Sequence, residues 1–448
     1  MDAREVALLT LYTCQRQGGW SDGILKKQIA AAKLDSRDAA LATNLCFGVV
    51  QNQLLLDFYL SKFSSIPLTR MESKILQILR LGVYQMLFLS KIPHSAAVDR
   101  SVEMAKQHSK NPRASGMVNA ILRNFQRSMD HLPTIPQQDL VEYLSILYSH
   151  PAWLVEELLS ILGEEETARF LEANNAQPPI TAQVNTTKTS ADALTQRLEE
   201  AGVSVQPHPW LPDCLILSKT GNLEGLSAFQ EGLFYIQDPA SRLTVMAADP
   251  KPGMQVLDAC AAPGGKTFAS AVRMQGEGKI ISCDLHPHKK KLIQAGAQRL
   301  GLDIVTPMTA DGKTFRPEWE NAFDLVLVDA PCSGLGVIRK KPDIRYKDPE
   351  PLMELPAIQA AILDNAARYV RPGGVLLYST CTVLERENEG VARAFLENHH
   401  NYKAEAFTLP GIIGEVGSGM ITLWPHRHGT DGFFICKLRK GSEPFGRY

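Results

Sequence analysis

The sequence predicts a multidomain chain: an all-α N-terminal bundle, a small α+β middle module and a C-terminal α/β doubly wound domain ending in an antiparallel hairpin. Three observations predict it. The chain has 448 residues, 44% of them hydrophobic and 21% charged, enough for several packed cores and too apolar for general disorder. Apolar residues recur at helical spacing up to about residue 128, whereas after about residue 250 short β runs alternate with helical segments. The charge balance flips between these regions. Residues 1–130 carry 17 Lys/Arg against 10 Asp/Glu, residues 131–240 carry 4 against 15, and residues 241–448 carry 26 against 23.

These shifts divide the chain at 1–130, 137–240 and 241–448. In the first segment Leu54, Leu55, Phe58, Tyr59 and Phe63 share one helical face, as do Ile75, Ile78, Leu79, Val83, Met86 and Leu87, so a helical bundle is expected. The prolines of His131-Leu-Pro-Thr-Ile-Pro136 mark a linker. The middle segment mixes a helical, acidic stretch (Trp153 to Ala173) with strands at Ile180–Thr186 and Cys214–Leu217 and a helix at Leu194–Ala201. In the third segment strands are expected at Gln255–Ala259, Lys279–Asp284, Ile304–Thr309, Phe323–Asp329 and Val375–Ser379. Helices are expected from about Lys266 and over 287–300, 353–370 and 385–398. Such alternation gives parallel strands joined by right-handed crossovers. Met420–Leu423 and Gly432–Leu438, joined by a loop, complete the hairpin.

Eight scattered cysteines without a C-x-x-C pair exclude a clustered zinc finger and argue against a secreted disulfide framework. No metal site is expected. The first residues lack a basic, apolar leader, and no apolar run approaches the ~18–20 residues of a membrane span, so a cytoplasmic protein with reduced thiols is expected. The basic N-terminal segment suits a polyanionic partner such as RNA.

The first strand of the third segment leads into Asp258-Ala-Cys-Ala-Ala-Pro-Gly-Gly-Lys-Thr267. A glycine-rich turn between a parallel strand and a helix sets backbone N–H groups beside a bound nucleotide. It is nearly a phosphate-binding loop, but Cys260 replaces the first glycine and Pro263 removes an N–H, which counts against an ATPase. The following strands end in Asp284, Asp311 and Asp329, carboxylates on one sheet edge suited to ribose and adenine hydrogen bonds. The same edge carries Cys332 in Asp329-Ala-Pro-Cys-Ser-Gly334 and Cys381 in Ser379-Thr-Cys-Thr382. Two thiols beside an adenosine site suit methylation at carbon 5 of cytosine. That carbon becomes nucleophilic only after a thiolate has added at carbon 6. Either cysteine meets this need on spacing alone, and Asp329 is suited to the cytosine edge, to the cofactor or to both.

The run from Phe229-Gln-Glu-Gly232 and Gln237-Asp-Pro-Ala-Ser241 through DACAAPGGKT, DAPCSG and STCT resembles the NOL1/NOP2/Sun family of RNA cytosine-5 methyltransferases, over about residues 150–440. Pro93-His-Ser-Ala-Ala-Val98 and Val118-Asn-Ala-Ile-Leu-Arg123 resemble the NusB RNA-binding fold. The resemblance implies a Rossmann-like catalytic domain and S-adenosylmethionine held by Cys260, Ala261, Ala262, Pro263, Gly264, Gly265, Lys266, Asp284, Asp311 and Asp329. It also implies Cys381 as nucleophile and Cys332 as the thiol that assists product release. The pairing of the two parts implies small-subunit ribosomal RNA, naked or in an early pre-ribosomal particle, as partner; a monomer is expected because each chain carries a complete site and RNA-binding surface. Transfer RNA as substrate, or a scaffold role in ribosome assembly, are the alternatives. At Gln183, before Val184-Asn185, the family often has Arg, which bears on the RNA contact expected of the middle module. Arg339-Lys-Lys-Pro-Asp-Ile-Arg345 is expected as an RNA-facing loop.

Overall fold

The computed structural model describes residues 1–17 and 21–442; residues 18–20 and 443–448, the latter ending the 241–448 segment, lie outside the described residues. Contacts divide the chain into two compact units, Met1–Ala176 with Ile338–Lys347, and Gln177–Val337 with Asp348–Tyr448.

The first unit is helical, with helices at Ala3–Gln17, Ser21–Ala32, Ser36–Gln51, Gln53–Phe63, Ser73–Phe88, His94–His108 and Ala114–Arg127, followed by Leu140–Tyr148, Ala152–Leu162 and Glu164–Asn175. Local chemistry starts several of them. Asp35 accepts the Asp38 N–H at 2.8 Å and Asp139 the Glu142 N–H at 3.0 Å, satisfying first-turn donors. In the helix 114–127, Val118, Ile121, Leu122 and Phe125 form one buried stripe. The helix 73–88 is buried from Ile75 to Met86 without interruption, which makes it the axis of the bundle. Gly48 lets that axis approach closely, since a Cβ there would meet the Tyr84 ring at 2.0 Å. Among the described residues no single helix is long and apolar enough to cross a membrane.

Two features of this unit differ from the sequence expectation. The helices of residues 140–175 belong to it rather than to the strands that follow, because Leu144, Leu154, Val155, Leu158 and Phe170 are buried and Ser149 Oγ accepts the Leu55 N–H at 3.1 Å. The second concerns the expected RNA-facing loop. Its Arg345 is 0% exposed and donates through Nη1 to the carbonyls of Gln51 (2.9 Å), Tyr148 (3.3 Å) and Ser149 (3.0 Å). A guanidinium engaged with buried carbonyls is not offered to phosphates, so the loop expectation is corrected at this residue. Burial pushes its pKa down to about 10.

The second unit holds two sheets. The smaller contains β1 (Ile180–Val184), β2 (Ser204–Pro207), β3 (Cys214–Ser218) and β4 (Phe234–Ile236), antiparallel in the order β2-β3-β1-β4. The larger contains β5 (Gln255–Asp258), β6 (Lys279–Asp284), β7 (Val305–Thr309), β8 (Phe323–Asp329) and β9 (Val370–Thr380), all parallel. After β10 (Tyr402–Ala404), with β11 (Phe407–Leu409) and β12 (Gly414–Val416) paired apart, come β13 (Met420–Leu423) and β14 (Phe433–Lys440). The larger sheet runs β10-β14-β9-β8-β5-β6-β7, with β13 antiparallel to β14 as the terminal hairpin. This is the doubly wound architecture expected, with helices Gly265–Arg273, Pro287–Leu300 and Leu355–Tyr369 crossing between parallel strands. Asn185 joins the two sheets' surroundings, its Nδ2 donating to the carbonyls of Gly232 and Leu300, each at 2.9 Å.

Candidate active site

The order of the large sheet reverses at β5, which lies between β6 and β8, and the carboxyl ends of the strands around that point carry the residues singled out above. β8 and β9 are neighbours, with Asp329 opposite Ser379, so the loops that follow them emerge side by side. They bring Cys332 Sγ to 3.3 Å from Cys381 Sγ.

The charges around the two thiols differ. Lys266 Nζ, from the glycine-rich loop, lies 2.7 Å from Asp329 Oδ2 and 4.7 Å from the centre of the Phe433 ring. Ser379 Oγ donates to the other oxygen of Asp329 at 3.0 Å. The hydrogen bond from Cys332 holds the Cys381 thiol below the ordinary thiol range; burial, Asp329 and Asp431 oppose this and Lys266 assists it. The same hydrogen bond pushes Cys332 well up, with burial and the charges of Cys381, Glu387 and Asp329 adding to it. Of the eight cysteines, all among the described residues, Cys381 is the one shifted down. Thiolate, the nucleophilic form, is favoured at this sulfur over the other seven.

The expected cofactor residues line the adjoining strand ends. Ala261 N donates to the Cys283 carbonyl at 2.7 Å and Gly264 N to the Ala261 carbonyl at 2.7 Å, tightening the turn. Gly264 has φ of 114°, a conformation that suits glycine. Cys260 and Ala262 are half-buried, Pro263 is exposed, and Gly265 opens the following helix. Asp284 Oδ1 accepts the His286 N–H at 3.0 Å, with Lys289 Nζ 3.6 Å from Oδ2. Asp311 Oδ1 accepts the Lys313 N–H at 2.9 Å. Both carboxylates therefore shape their own turns through one oxygen. Beneath the loop, Asp258 accepts from Thr267 Oγ1 at 2.7 Å while its Oδ1 has no hydrogen-bond partner; burial pushes its pKa up to about 7. Both polar atoms of the Gln237 amide, against Gly265, are likewise buried without a partner.

Three site residues escaped the sequence reading. Glu387 and Gln359 are buried beside the Cys332 loop, and Ser379 orients Asp329. Glu387 sits in the polar run Leu384-Glu-Arg-Glu-Asn-Glu389, where nothing local distinguishes it from a solvated helix start. Gln183, at the position where an RNA contact was in question, is buried and donates to Cys214 Sγ (3.2 Å) and to the Gln237 carbonyl (3.1 Å).

A family model described as 16S rRNA methyltransferase RsmB/F matches residues 245–439. Models of the NusB family and of the ferredoxin-like domain of RsmF/B-like methyltransferases match 1–127 and 150–224. The probable ribosomal RNA small subunit methyltransferase B of Bacillus subtilis is 39% identical over 98% of each chain. The chain belongs to the ribosomal RNA small subunit methyltransferase B family. The family member from Salmonella typhi is 34% identical over 91% of this chain and 92% of its own. A solved crystal structure, that of the protein PH0851, superposes with a TM-score of 0.80 at 28% identity, covering 98% of this chain and 99% of its own. Methyltransferases of this family use S-adenosylmethionine. The residues present fit it: a glycine turn with an open backbone, carboxylates at successive strand ends, and buried polar atoms at Asp258 and Gln237 that lack partners.

Proposed function

We propose that this protein methylates carbon 5 of a cytosine in small-subunit ribosomal RNA, with Cys381 as nucleophile and Cys332 as the thiol of the release step. The carrying observation is the thiol pair, 3.3 Å apart, in which one sulfur is shifted down and the other up. Carbon 5 of cytosine is too weak a nucleophile to take a methyl group unaided. Addition of the Cys381 thiolate to carbon 6 makes carbon 5 an enamine carbon. S-adenosylmethionine supplies the methyl group. A general base then takes the carbon-5 proton, and the electron pair left behind re-forms the ring double bond and breaks the carbon 6–sulfur bond, with Cys381 leaving as thiolate. Cys332, protonated beside it, holds a proton where the departing sulfur needs one. Asp329, oriented by Lys266 and Ser379, faces this step as hydrogen-bond partner to the cytosine edge or to the cofactor. The target base must leave its stack to reach the thiols, and the basic residues 1–130 supply sequence-independent affinity for phosphates.

Methyl-labelled S-adenosylmethionine with small-subunit rRNA and, separately, transfer RNA, followed by bisulfite sequencing, tests this. A 5-methylcytosine in the rRNA is expected; label in transfer RNA alone overturns the substrate, and label elsewhere than carbon 5 overturns the chemistry. Cys381→Ala should abolish methylation. Cys332→Ala should leave a protein–RNA adduct that survives denaturing gels. An adduct in Cys381→Ala and none in Cys332→Ala reverses the two roles.

A further inference from the structure

Glu387 lies six residues beyond Cys381 on a short 3-10 turn, Glu385–Glu387, and is 0% exposed. Its Oε2 accepts the backbone N–H of Ser333 and Gln359 Nε2, both at 2.9 Å, and the same Gln359 nitrogen donates to the Pro331 carbonyl at 3.0 Å. Carboxylate and amide therefore grip the chain on either side of Cys332. The other carboxylate oxygen, Oε1, has no hydrogen-bond partner. The turn is equally tied to the Cys381 strand. The Glu387 carbonyl accepts from Tyr378 Oη at 2.6 Å. Asn388 accepts from Thr380 Oγ1 at 2.5 Å and donates to the Thr382 carbonyl at 3.1 Å. Ser333 Oγ and Thr382 Oγ1, 2.7 Å apart, close the ring.

We infer that Glu387 is the positioning residue of the thiol pair: it clamps the Pro331–Ser333 loop so that Cys332 lies against Cys381, and sets a negative charge behind Cys332. The pairing of β8 with β9 sets the two loops side by side, and this single turn, hydrogen-bonded to both, fixes where Cys332 stands within that approach. The titratable groups facing Cys332 are Cys381 just after β9, Tyr378 from β9, Asp329 from β8 and Glu387 itself, all anionic when ionised. Each opposes ionisation of Cys332. The inference rests on the reading of Cys332 as a working thiol.

Two substitutions separate clamp from charge. In Glu387→Gln the amide oxygen can take the place of Oε2 and keep both hydrogen bonds, while the NH2 takes the place of the unpartnered Oε1; only the charge is lost. Glu387→Ala loses both. The readout is the rate of Cys332 alkylation by iodoacetamide against pH, followed by mass spectrometry in a Cys381→Ala background. Glu387→Gln should move the midpoint down, raising the rate near pH 8 by roughly threefold or more. A loosened loop alone would raise the rate at every pH and leave the midpoint where it was, and that result overturns the inference. Glu387→Ala should raise the rate at every pH as well as moving the midpoint. Should the alanine variant fail to fold by circular dichroism, the glutamine variant carries the test. In the protein with Cys381 intact, Glu387→Gln incubated with rRNA reports separately on the release role. A shifted midpoint with no change in adduct lifetime upholds the positioning of Cys332 and sinks its assignment to release.

Discussion

Gly336→Ala is the sharpest perturbation of the site that leaves every reactive group in place. Gly336 lies four residues beyond Cys332; its N–H donates to the Cys381 carbonyl at 2.9 Å and its carbonyl accepts the Gly432 N–H at 2.8 Å. A Cβ at this position would stand 1.9 Å from the Gly432 carbonyl oxygen and 2.8 Å from that of Cys381. Both obstacles are backbone, so relief needs a main-chain shift of about 1 Å rather than a rotamer change. Overpacking of this kind costs roughly 1–3 kcal/mol, and weakening two hydrogen bonds adds about 1 kcal/mol each. The expected loss is about 3–5 kcal/mol, a fall of about 1 M or more in the urea midpoint. Because the displaced carbonyl is that of Cys381, methylation should fall more than the folded fraction does. Gly116→Ala is the control: a Cβ there meets nothing within 4 Å, in the helix 114–127, and the change should be neutral or stabilise by up to about 1 kcal/mol. A Gly336→Ala protein with an unchanged urea midpoint and full activity would refute the reasoning.

Lys266→Met leaves Asp329 without its cation and Cys381 without a positive neighbour. Removing one partner of a buried pair costs roughly 3–5 kcal/mol, which the 29% exposure of Asp329 discounts to about 2 kcal/mol. Cys381 alkylation near pH 8 should slow, and an unchanged rate would show that Lys266 does not act on the thiol. Asp258 has a folded-state pKa raised to about 7 from 3.8, so folding favours its protonated form. Below pH 4 both states are protonated; between pH 4 and 7 the unfolded state ionises first and stability falls, by about 1.4 kcal/mol per unit at most. Asp258→Asn should abolish that part of the slope, and parallel stability curves for the two proteins between pH 4 and 7 would contradict it. Arg345→Met removes a donor from three carbonyls. Tyr148 keeps that of Asn175 Nδ2 (2.8 Å) and Ser149 that of Tyr346 Oη (3.4 Å), so the main loss, roughly 1–3 kcal/mol, falls at Gln51, partly offset by the relieved desolvation of the guanidinium. Thermal unfolding should show a net loss of about 1–2 kcal/mol; a gain would mean that desolvation dominates.

Elements set by local pattern were legible in the sequence. The apolar runs Lys279–Asp284 and Phe323–Asp329 and the helix 287–300 have the expected limits, since short buried strands and capped helices carry their own punctuation. Gly301, with φ of 70°, ends that helix as a C-terminal glycine should. Elements set by distant partners were not legible. Arg339–Arg345 has the composition of a solvated loop, yet Ile338, Pro342, Ile344 and Arg345 are buried, because this segment belongs with helices about 200–300 residues earlier in the chain. The acidic residues after 137 marked a change of surface, not of core: Glu164 and Glu165 are exposed while Phe170 and Leu171 of the same helix are buried. The candidate thiols were legible because each ends a strand in a distinctive motif. Glu387 was not, because its role depends on Gln359 and Ser333, 28 and 54 residues away in sequence.

The division between the two thiols follows from where the charges stand. At 3.3 Å the sulfurs share one hydrogen bond, and a single proton between them can rest on either. Asp329 disfavours ionisation of both and so selects neither. Asp431 opposes ionisation of Cys381, whereas Lys266 lowering Cys381 and Glu387 raising Cys332 act in the same direction from opposite partners and favour the thiolate at Cys381. Because the two contributions add, losing either alone weakens the preference for thiolate at Cys381 without inverting it. Lys266→Met and Glu387→Gln together should bring the two alkylation midpoints closer than either change does singly. Equal midpoints in either single variant would mean that one charge carries the whole asymmetry.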